Sequence, residues 1–492
     1  MAEADLIAAR REKLAHLRAL GVDPYPYRFD RTHTTAQVRA AFPELPPESR
    51  TGTEVRVAGR IMALRRMGRI AFAVLQDQTG RLQLFLSEKA LGKEGYRLLC
   101  EGLDIGDIVG AWGEVITTRT GELSVEVGGY QLLAKALRPL PEKWHGLRDV
   151  EKRYRQRALD LIVNEKPRRV LEQRASIIKT MRAYLDEQGF IEVETPILQP
   201  IPGGATARPF VTHHNVLDRD LYLRIAPELY LKRLLVGGLE RVYEIGKNFR
   251  NEGISTMHNP EFTSLEAYQA YADYRDAMEL AEEMIEKCVL ALTGVPKLGY
   301  RGREIDFSRP WRRVALLELV AEATGVDVEA PLPELVTELE AKGIQVPEHL
   351  KGGPKGKVIE HLLETVAQGG LWHPTFVVDF PLDISPLAKR KRGRPDLTER
   401  FELYIAGMEI ANAFSELNDP DEQRERFLDQ ERLRAAGDAE AQRIDEDFLR
   451  DLEQGMPPAA GIGIGIDRLV MVLTDSPSIR EVIAFPLVGE RR

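Results

Sequence analysis

The sequence predicts an α+β fold: a small N-terminal β-barrel followed by one large domain that mixes strands and helices. Three observations carry this reading. Residues 54–138 hold five short β-rich runs broken by glycine turns. A long helical run then closes at Gly189. Beyond it, strand-like and helical runs alternate through residue 492. A chain of 492 residues has room for roughly two to four domains.

In chain order, Leu6, Ile7, Leu14, Leu17 and Leu20 recur at helical spacing over 4–20. Pro24, Pro26, Pro43, Pro46 and Pro47 mark a connector, so 1–53 reads as a helical extension. The barrel runs are EVRVAGRIMAL, RIAFAVLQD, GRLQLFLS, DIVGAWGEVITTR and ELSVEVGGYQLLAKAL, with turns at QDQTG and TRTG. A helical insert at EGYRLLCEGL completes the pattern of a Greek-key barrel of the OB-fold type, though other small barrels and sandwiches share it. Residues 139–171 form a basic linker containing KRYRQRALDLIVNEKPRR. The segment 172–492 is read as one domain, with a helix-rich insert at about 315–370 that carries no legible motif. No glycine-rich turn joins an early strand to a helix, which excludes a dinucleotide-binding fold.

Hydrophobic residues at 43% and charged residues at 29% suit a globular protein. No run of about 18 apolar residues predicts a membrane span. The start, MAEADLIAARREKLAHL, lacks the apolar core of a signal peptide, so a cytoplasmic enzyme is expected. Two cysteines, Cys100 and Cys288, exclude a disulfide scaffold or a cysteine zinc site. A net charge of −9 argues at first against a nucleic-acid partner. The charge is unevenly spread, however. Residues 1–182 carry 32 Lys and Arg against 23 Asp and Glu, and residues 183–492 carry 36 against 54. Such asymmetry points to a basic, nucleic-acid-facing first part; the alternative is that each part carries an arbitrary surface charge.

Three segments carry chemistry. GFIEVETPIL (189–198) is a helix stop followed by a strand that ends at Pro196. FRNEG (249–253) and HNPEF (258–262) enclose a polar loop between two strands. Arg250 can neutralise a phosphate in bidentate fashion, and Phe262 can stack on a purine; the alternative pairs Arg250 with Glu252. On the return strand Phe262, Ser264, Glu266 and Tyr268 share one face by period two. GIGIGIDR (461–468) strips one strand face bare, so that a flat ligand can approach the backbone near Arg468.

In this order the three segments resemble the signature motifs of class II aminoacyl-tRNA synthetases. The OB-like barrel narrows the resemblance to the subgroup for lysine, aspartate and asparagine. GGATARPFVTHHN (203–215), RIAPELYLKRL (224–234), FRNEGISTMHNPEFT (249–263), ERFELYIAGMEIANAFSELND (399–419) and GIGIGIDRLVM (461–471) are similar to the lysyl-tRNA synthetase family, of bacterial type. The resemblance implies ATP, magnesium, L-lysine and tRNA(Lys) as ligands and a homodimer as the assembly. It implies that Glu416 and Tyr268 take the lysine ε-ammonium, and that Glu228 and the backbone of Gly204 hold the α-amine. Glu266, Asn412 and Phe414 would complete that pocket. Arg250 would contact the lysine carboxylate and the α-phosphate, Glu252 the adenine end and His258 the terminal phosphates. Phe262 and Arg468 would sandwich the adenine, with Arg250 and Arg468 as the catalytic cations. Glu402 and Glu409 would hold magnesium, and Phe72, Gln83, Arg65 and Glu122 would read the anticodon. The acidic lining suits a cationic substrate and opposes an aspartate or asparagine pocket. A lysine-transferring relative that modifies a protein would lack the barrel, and a catalytically dead RNA-binding protein would have lost pocket residues.

Strand parity raises one structural expectation. If Ala406 and Gly407 form a two-residue turn, Glu409 pairs with Tyr404, and Glu402 and Glu409 share a face. Asn412, Phe414 and Glu416 then have the opposite parity, which a bulge between 409 and 412 reconciles.

Overall fold

The computed structural model describes residues 3–141, 147–438 and 440–489. They divide into two compact units, Met1–Arg148 and Asp149–Arg492. Part of the expected basic linker, 142–146, lies outside the described residues.

The first unit is a closed barrel of β1 (Arg50–Met67), β2 (Ile70–Gln76), β3 (Arg81–Ser87), β4 (Ile108–Thr117) and β5 (Leu123–Ala134), in the order β1-β2-β3-β5-β4. Alternation fills its interior: Ala71, Ala73 and Leu75 on β2 and Leu82, Leu84 and Leu86 on β3 are buried. A register shift between Ile61 and Ala63 bends the long β1, which pairs with both β2 and β4. A helix, Glu88–Gly102, joins β3 to β4 and is capped by the Ser87 hydroxyl, which accepts from the Ala90 N–H. The N-terminal helix Glu3–Ala19 adds Leu17 to the barrel core. The buried Lys135 Nζ closes the end of β5, 2.6 Å from Asp104 and 2.7 Å from Asp107.

The second unit is built on an eight-stranded sheet. Its strands are β6 (Ile191–Glu192), β7 (Arg241–Phe249), β8 (Glu261–Ala270), β9 (Arg312–Ala315), β10 (Thr375–Val378), β11 (Arg400–Ile405), β12 (Met408–Ser415) and β13 (Ala459–Gly465). The order is β9-β10-β11-β12-β13-β8-β7-β6. The pairs β9–β10 and β6–β7 are parallel; the other neighbours are antiparallel.

Period-two alternation splits this sheet into two chemically different faces. Leu265, Ala267, Phe401, Leu403, Ala411, Ala413, Ile462 and Ile464 point into one core, shared with the helices Glu165–Glu187, Tyr274–Thr293 and Ile466–Leu473. The intervening residues on the same strands form the other, open face. The insert at 315–370 folds over it as helices Leu316–Thr324, Leu332–Ala341 and Lys355–Leu362, with its own core around Val320, Leu339 and Leu362. The last helix widens into a π-turn at Leu363–Ala367.

Residues 149–171, assigned from sequence to the linker, are helical from Val150 and lie within the second unit. Buried Arg157 donates to the carbonyls of Glu481, Ile483 and Ala484 and pairs with Asp160 at 2.8 Å. Arg153 meets the same Asp160 at 3.0 Å. These two cations are therefore engaged internally.

Candidate active site

The open face of the sheet and the loops around it enclose a cavity of about 1180 Å³, large enough for a nucleotide and a second small molecule. Gly204, Glu228, Arg250, Glu252, His258, Phe262, Glu266, Tyr268, Glu402, Glu409, Asn412, Phe414 and Arg468 all line it.

The hairpin β11–β12 aligns two of the carboxylates. Ala406 and Gly407 both take positive φ, 53° and 71°, the backbone of a tight two-residue turn. Tyr404 pairs with Glu409, but Leu403 pairs with Ala411 and Glu402 with Asn412, so the register shifts at Ile410. This bulge places Glu402, Glu409, Asn412 and Phe414 on one face, as the parity argument requires. Glu402 Oε1 accepts from Arg400 Nη2 at 2.6 Å, and Oε2 accepts from the Tyr404 hydroxyl at 2.7 Å. Burial, opposed by Arg400 and assisted by the charge on Glu409, pushes Glu402 up to about 7. Arg400 also donates to Asn412 Oδ1 at 3.2 Å.

At the other end, the loop between β7 and β8 supplies cations. The Arg250 guanidinium lies 5.1 Å from the centre of the Phe262 ring. Its Nε is buried and has no hydrogen-bond partner among the described residues. No Arg250–Glu252 pair occurs among them; Glu252 is exposed. Arg468 Nη1 donates to Glu409 Oε2 at 3.1 Å, and its Nη2 lies 3.0 Å from His258 Nε2. Asp467 fixes this corner by accepting from the Thr263 N–H at 2.6 Å and pairing with Arg174 at 2.6 Å.

Between the two ends lies a set of buried acids. Glu228 opens the helix Glu228–Val236; Glu266 and Tyr268 stand on β8, and Phe414 on β12. The Tyr268 hydroxyl donates to Glu266 Oε2 at 3.3 Å. Burial, then the charge on Glu228, pushes Glu266 up to about 8. The glycine strand β13 forms the floor. A Cβ on Gly461 would collide with Glu416 Oε1 and the Tyr268 ring, so only glycine admits both side chains. Gly204, at φ 83°, packs its Cα against Glu228, where a Cβ would come within 2.9 Å of the Glu228 Cβ.

Glu416 stands apart from the other candidates. It is fully buried, with Oε2 2.5 Å from the Lys232 ammonium and Oε1 over Gly461, which lines the cavity. Lys232 was not singled out from sequence, although its position four residues after Glu228 on an otherwise apolar helix face was a signal. Arg400 was also missed, as were Lys357, Glu360, His361 and Glu364, which the insert brings to the cavity.

On the barrel, Arg65 pairs with Phe72 and Phe72 with Phe85. Gln83 pairs with Ser124, two residues beyond Glu122, and Gln83 Nε2 donates to Ser124 Oγ at 2.9 Å. By alternation Arg65, Phe72 and Gln83 share the outer face of one continuous sheet, while Glu122 lies just before β5 and pairs with Arg39 at 3.3 Å. Phe72 lies outside the barrel core and tilts against Phe85 at 5.3 Å, an aromatic the sequence reading passed over.

Comparison with known proteins agrees with this arrangement. Residues 149–489 match the family described as tRNA synthetases class II (D, K and N), and residues 55–133 match the OB-fold nucleic acid binding domain. The chain is 53% identical to the lysine--tRNA ligase of Carboxydothermus hydrogenoformans over 487 residues, covering 99% of this chain and 98% of that protein. It is 55% identical to the lysine--tRNA ligase of Moorella thermoacetica over 488 residues, with coverages of 99% and 98%. It is 54% identical to that of Chloroflexus aurantiacus over 490 residues, with coverages of 99% and 99%. The chain belongs to the class II tRNA synthetases that serve aspartate, lysine and asparagine, and among them to the lysine--tRNA ligases.

Proposed function

We infer that the chain activates L-lysine with ATP, giving lysyl-adenylate and pyrophosphate, and then passes lysine to the 3′-terminal ribose of tRNA(Lys). The observation that carries the choice of amino acid is the set of buried acids between the two ends of the cavity. An ammonium gives these carboxyls the cation they lack, whereas an aspartate or asparagine side chain brings none. Lys232, the cation in contact with them among the described residues, is already engaged by Glu228 and Glu416. Lysine-dependent ATP–pyrophosphate exchange followed by charging of tRNA tests the reading, with aspartate and asparagine as controls. Exchange driven by either control would overturn it.

In this reading Tyr268, Glu266 and Glu416 receive the side-chain ammonium, Glu228 and the Gly204 backbone the α-amine, and Asn412 and Phe414 the chain between. The substrate carboxylate is already a nucleophile, so the chain supplies no base. The carboxylate attacks the α-phosphate; the bond to the bridging oxygen breaks, and pyrophosphate leaves. Arg250 holds both the carboxylate and the α-phosphate, which aligns attack and neutralises the charge that develops. Its buried, unpartnered Nε suits that task. Phe262 and Arg468 bound the adenine, Glu252 its outer edge, and His258 the distal phosphates. The ribose hydroxyl of the tRNA then attacks the mixed anhydride and AMP departs.

Glu402 and Glu409 fit a magnesium ion. Among the described residues no group of three or more His, Cys, Asp and Glu is arranged to hold a metal. Magnesium, however, commonly takes only one or two carboxylates and completes its shell with phosphates and water. Two carboxylates on one face, one of them raised by burial beside the other, meet that requirement. When bound, the ion neutralises phosphate charge.

Phe72, Gln83, Arg65 and Glu122 offer stacking and edge hydrogen bonds to single-stranded anticodon bases. The enzyme is assigned to the cytoplasm and to a homodimer. Among the described residues no helix is long and apolar enough to cross a membrane.

Three outcomes follow. Arg250→Ala lowers lysine-dependent exchange roughly a hundredfold or more, the scale for a preorganised charge-stabilising group; near-wild-type exchange contradicts its role. Phe72→Ala weakens tRNA charging while exchange persists, and equal loss of both assigns Phe72 to packing instead. Sedimentation at micromolar concentration returns the mass of two chains, and the mass of one chain refutes the dimer.

A further inference from the structure

The cluster around Lys232 carries an inference that rests on the lysine-activating reading and deepens it. Lys232 is wholly buried and does not line the cavity. Its ammonium lies 2.7 Å from Glu228 Oε1 and 2.5 Å from Glu416 Oε2, and 5.3 Å from the centre of the Phe414 ring. A lysine in such a place is costly unless it is paired, and the two carboxylates are costly without it. Glu416 is thus split between its oxygens. Oε2 faces the built-in ammonium. Oε1 is turned over the bare Gly461 backbone beside the Tyr268 ring and, unlike Oε2 with its contact to Lys232, has no cation beside it among the described residues.

We propose that Lys232 is a positioning residue for substrate recognition: its ammonium takes Glu416 Oε2 and Glu228 Oε1, leaving Glu416 Oε1 as the acceptor for the side-chain ammonium of the substrate. One carboxylate then bridges two ammonium groups, one from the protein and one from lysine. The protein's own lysine opposes protonation of Glu416 and keeps its rotamer aimed across Gly461.

The electrostatics of the surroundings agree. Burial alone lowers the Lys232 ammonium, but Glu228 and Glu416 outweigh burial and hold it above the ordinary lysine range. Burial pushes Glu416 up to about 8, against the opposing pull of Lys232. The other charges felt there are Glu266 and Tyr268 on β8, Arg400 on β11, and the Arg224–Glu244 pair. Without Lys232, Glu228 and Glu416 face each other with no cation between them, and the pair holds its proton more tightly. Substrate ammonium must then displace that proton, and the penalty fades as the solution becomes alkaline.

The test is lysine-dependent ATP–pyrophosphate exchange at pH 7 and pH 9 on the full chain, with Lys232→Met and Lys232→Arg. Folding is checked by circular dichroism and by ATP binding. A wild-type chain with no lysine-dependent exchange removes the underlying reading before any variant is considered. With that arm positive, Lys232→Met is expected to raise the lysine KM about tenfold or more at pH 7. The rise is smaller at pH 9, with kcat changed less than about threefold and ATP affinity kept. Lys232→Arg, which keeps the cation, holds the lysine KM within about threefold of wild type. An unchanged KM in Lys232→Met, or an equal rise at both pH values, overturns the proposal in favour of packing. If only Lys232→Met fails to fold, Lys232→Arg decides: a KM within about threefold supports the proposal, and a tenfold rise overturns it. If neither variant folds, Lys232 belongs to the fold alone and the proposal falls.

Discussion

Carboxylates buried in excess of their cations are the constraint on which the second unit depends. Glu228, Glu266, Glu402 and Glu416 are all under a tenth exposed, and they share one sheet face and its neighbouring helix. Taking even one ionised carboxylate out of water costs several kcal/mol unless it is paired. Lys232 and Arg400 supply part of the compensation. The remainder shows as carboxyls raised to about 7 or 8, which only cationic ligands bring back down. The fold thereby stores its specificity as buried acids short of cations: Glu402 and Glu409 suit magnesium, and Glu266 and Glu416 suit an ammonium.

Such a face is tolerable because the opposite side of the same strands is mostly apolar. On β13 isoleucines enter the core while glycines open the floor, and on β12 alanines alternate with Asn412 and Phe414. Each strand buys its place with one face and spends none of it on the other. The bulge at Ile410 is what permits two carboxylate sets of opposite parity to serve one cavity. The Arg174–Asp467 pair fixes the start of the helix that carries Arg468, and so holds the phosphate end in register with the ammonium end.

Much of this was legible in the amino-acid order. Period-two spacing placed Phe262, Ser264, Glu266 and Tyr268 together, and alternating glycines announced close approach at β13. The AG pair at 406–407 implied a tight turn, and parity then required a bulge. Five glycine-punctuated runs implied the barrel, and the structure adds Phe85 beside Phe72. What stayed hidden depends on long-range burial. RIAPELYLKRL reads as a helix with an ordinary surface lysine until β12 covers it and Lys232 meets Glu416, 184 positions away in the chain. Glu360 and Glu364 sit in a stretch without a motif, and only the packing of the insert over the open face brings them to the cavity. The helices after residue 149 read as a connector because their arginines look solvent-facing in a linear string. Their partners, Asp160 and the carbonyls of 481–484, are set by the fold.

The central claim is that the empty pocket holds protonated acid which an arriving ammonium ionises. Glu266, raised to about 8, is mostly protonated at pH 7 when the pocket is empty. A bound ammonium favours the carboxylate and lowers that value, so binding expels a proton. Calorimetric titration of the enzyme with L-lysine at pH 7, in buffers of differing ionisation enthalpy, counts that proton directly. The account predicts net proton release at pH 7 that fades toward pH 9. Binding with no proton release at pH 7, or with proton uptake, would contradict it.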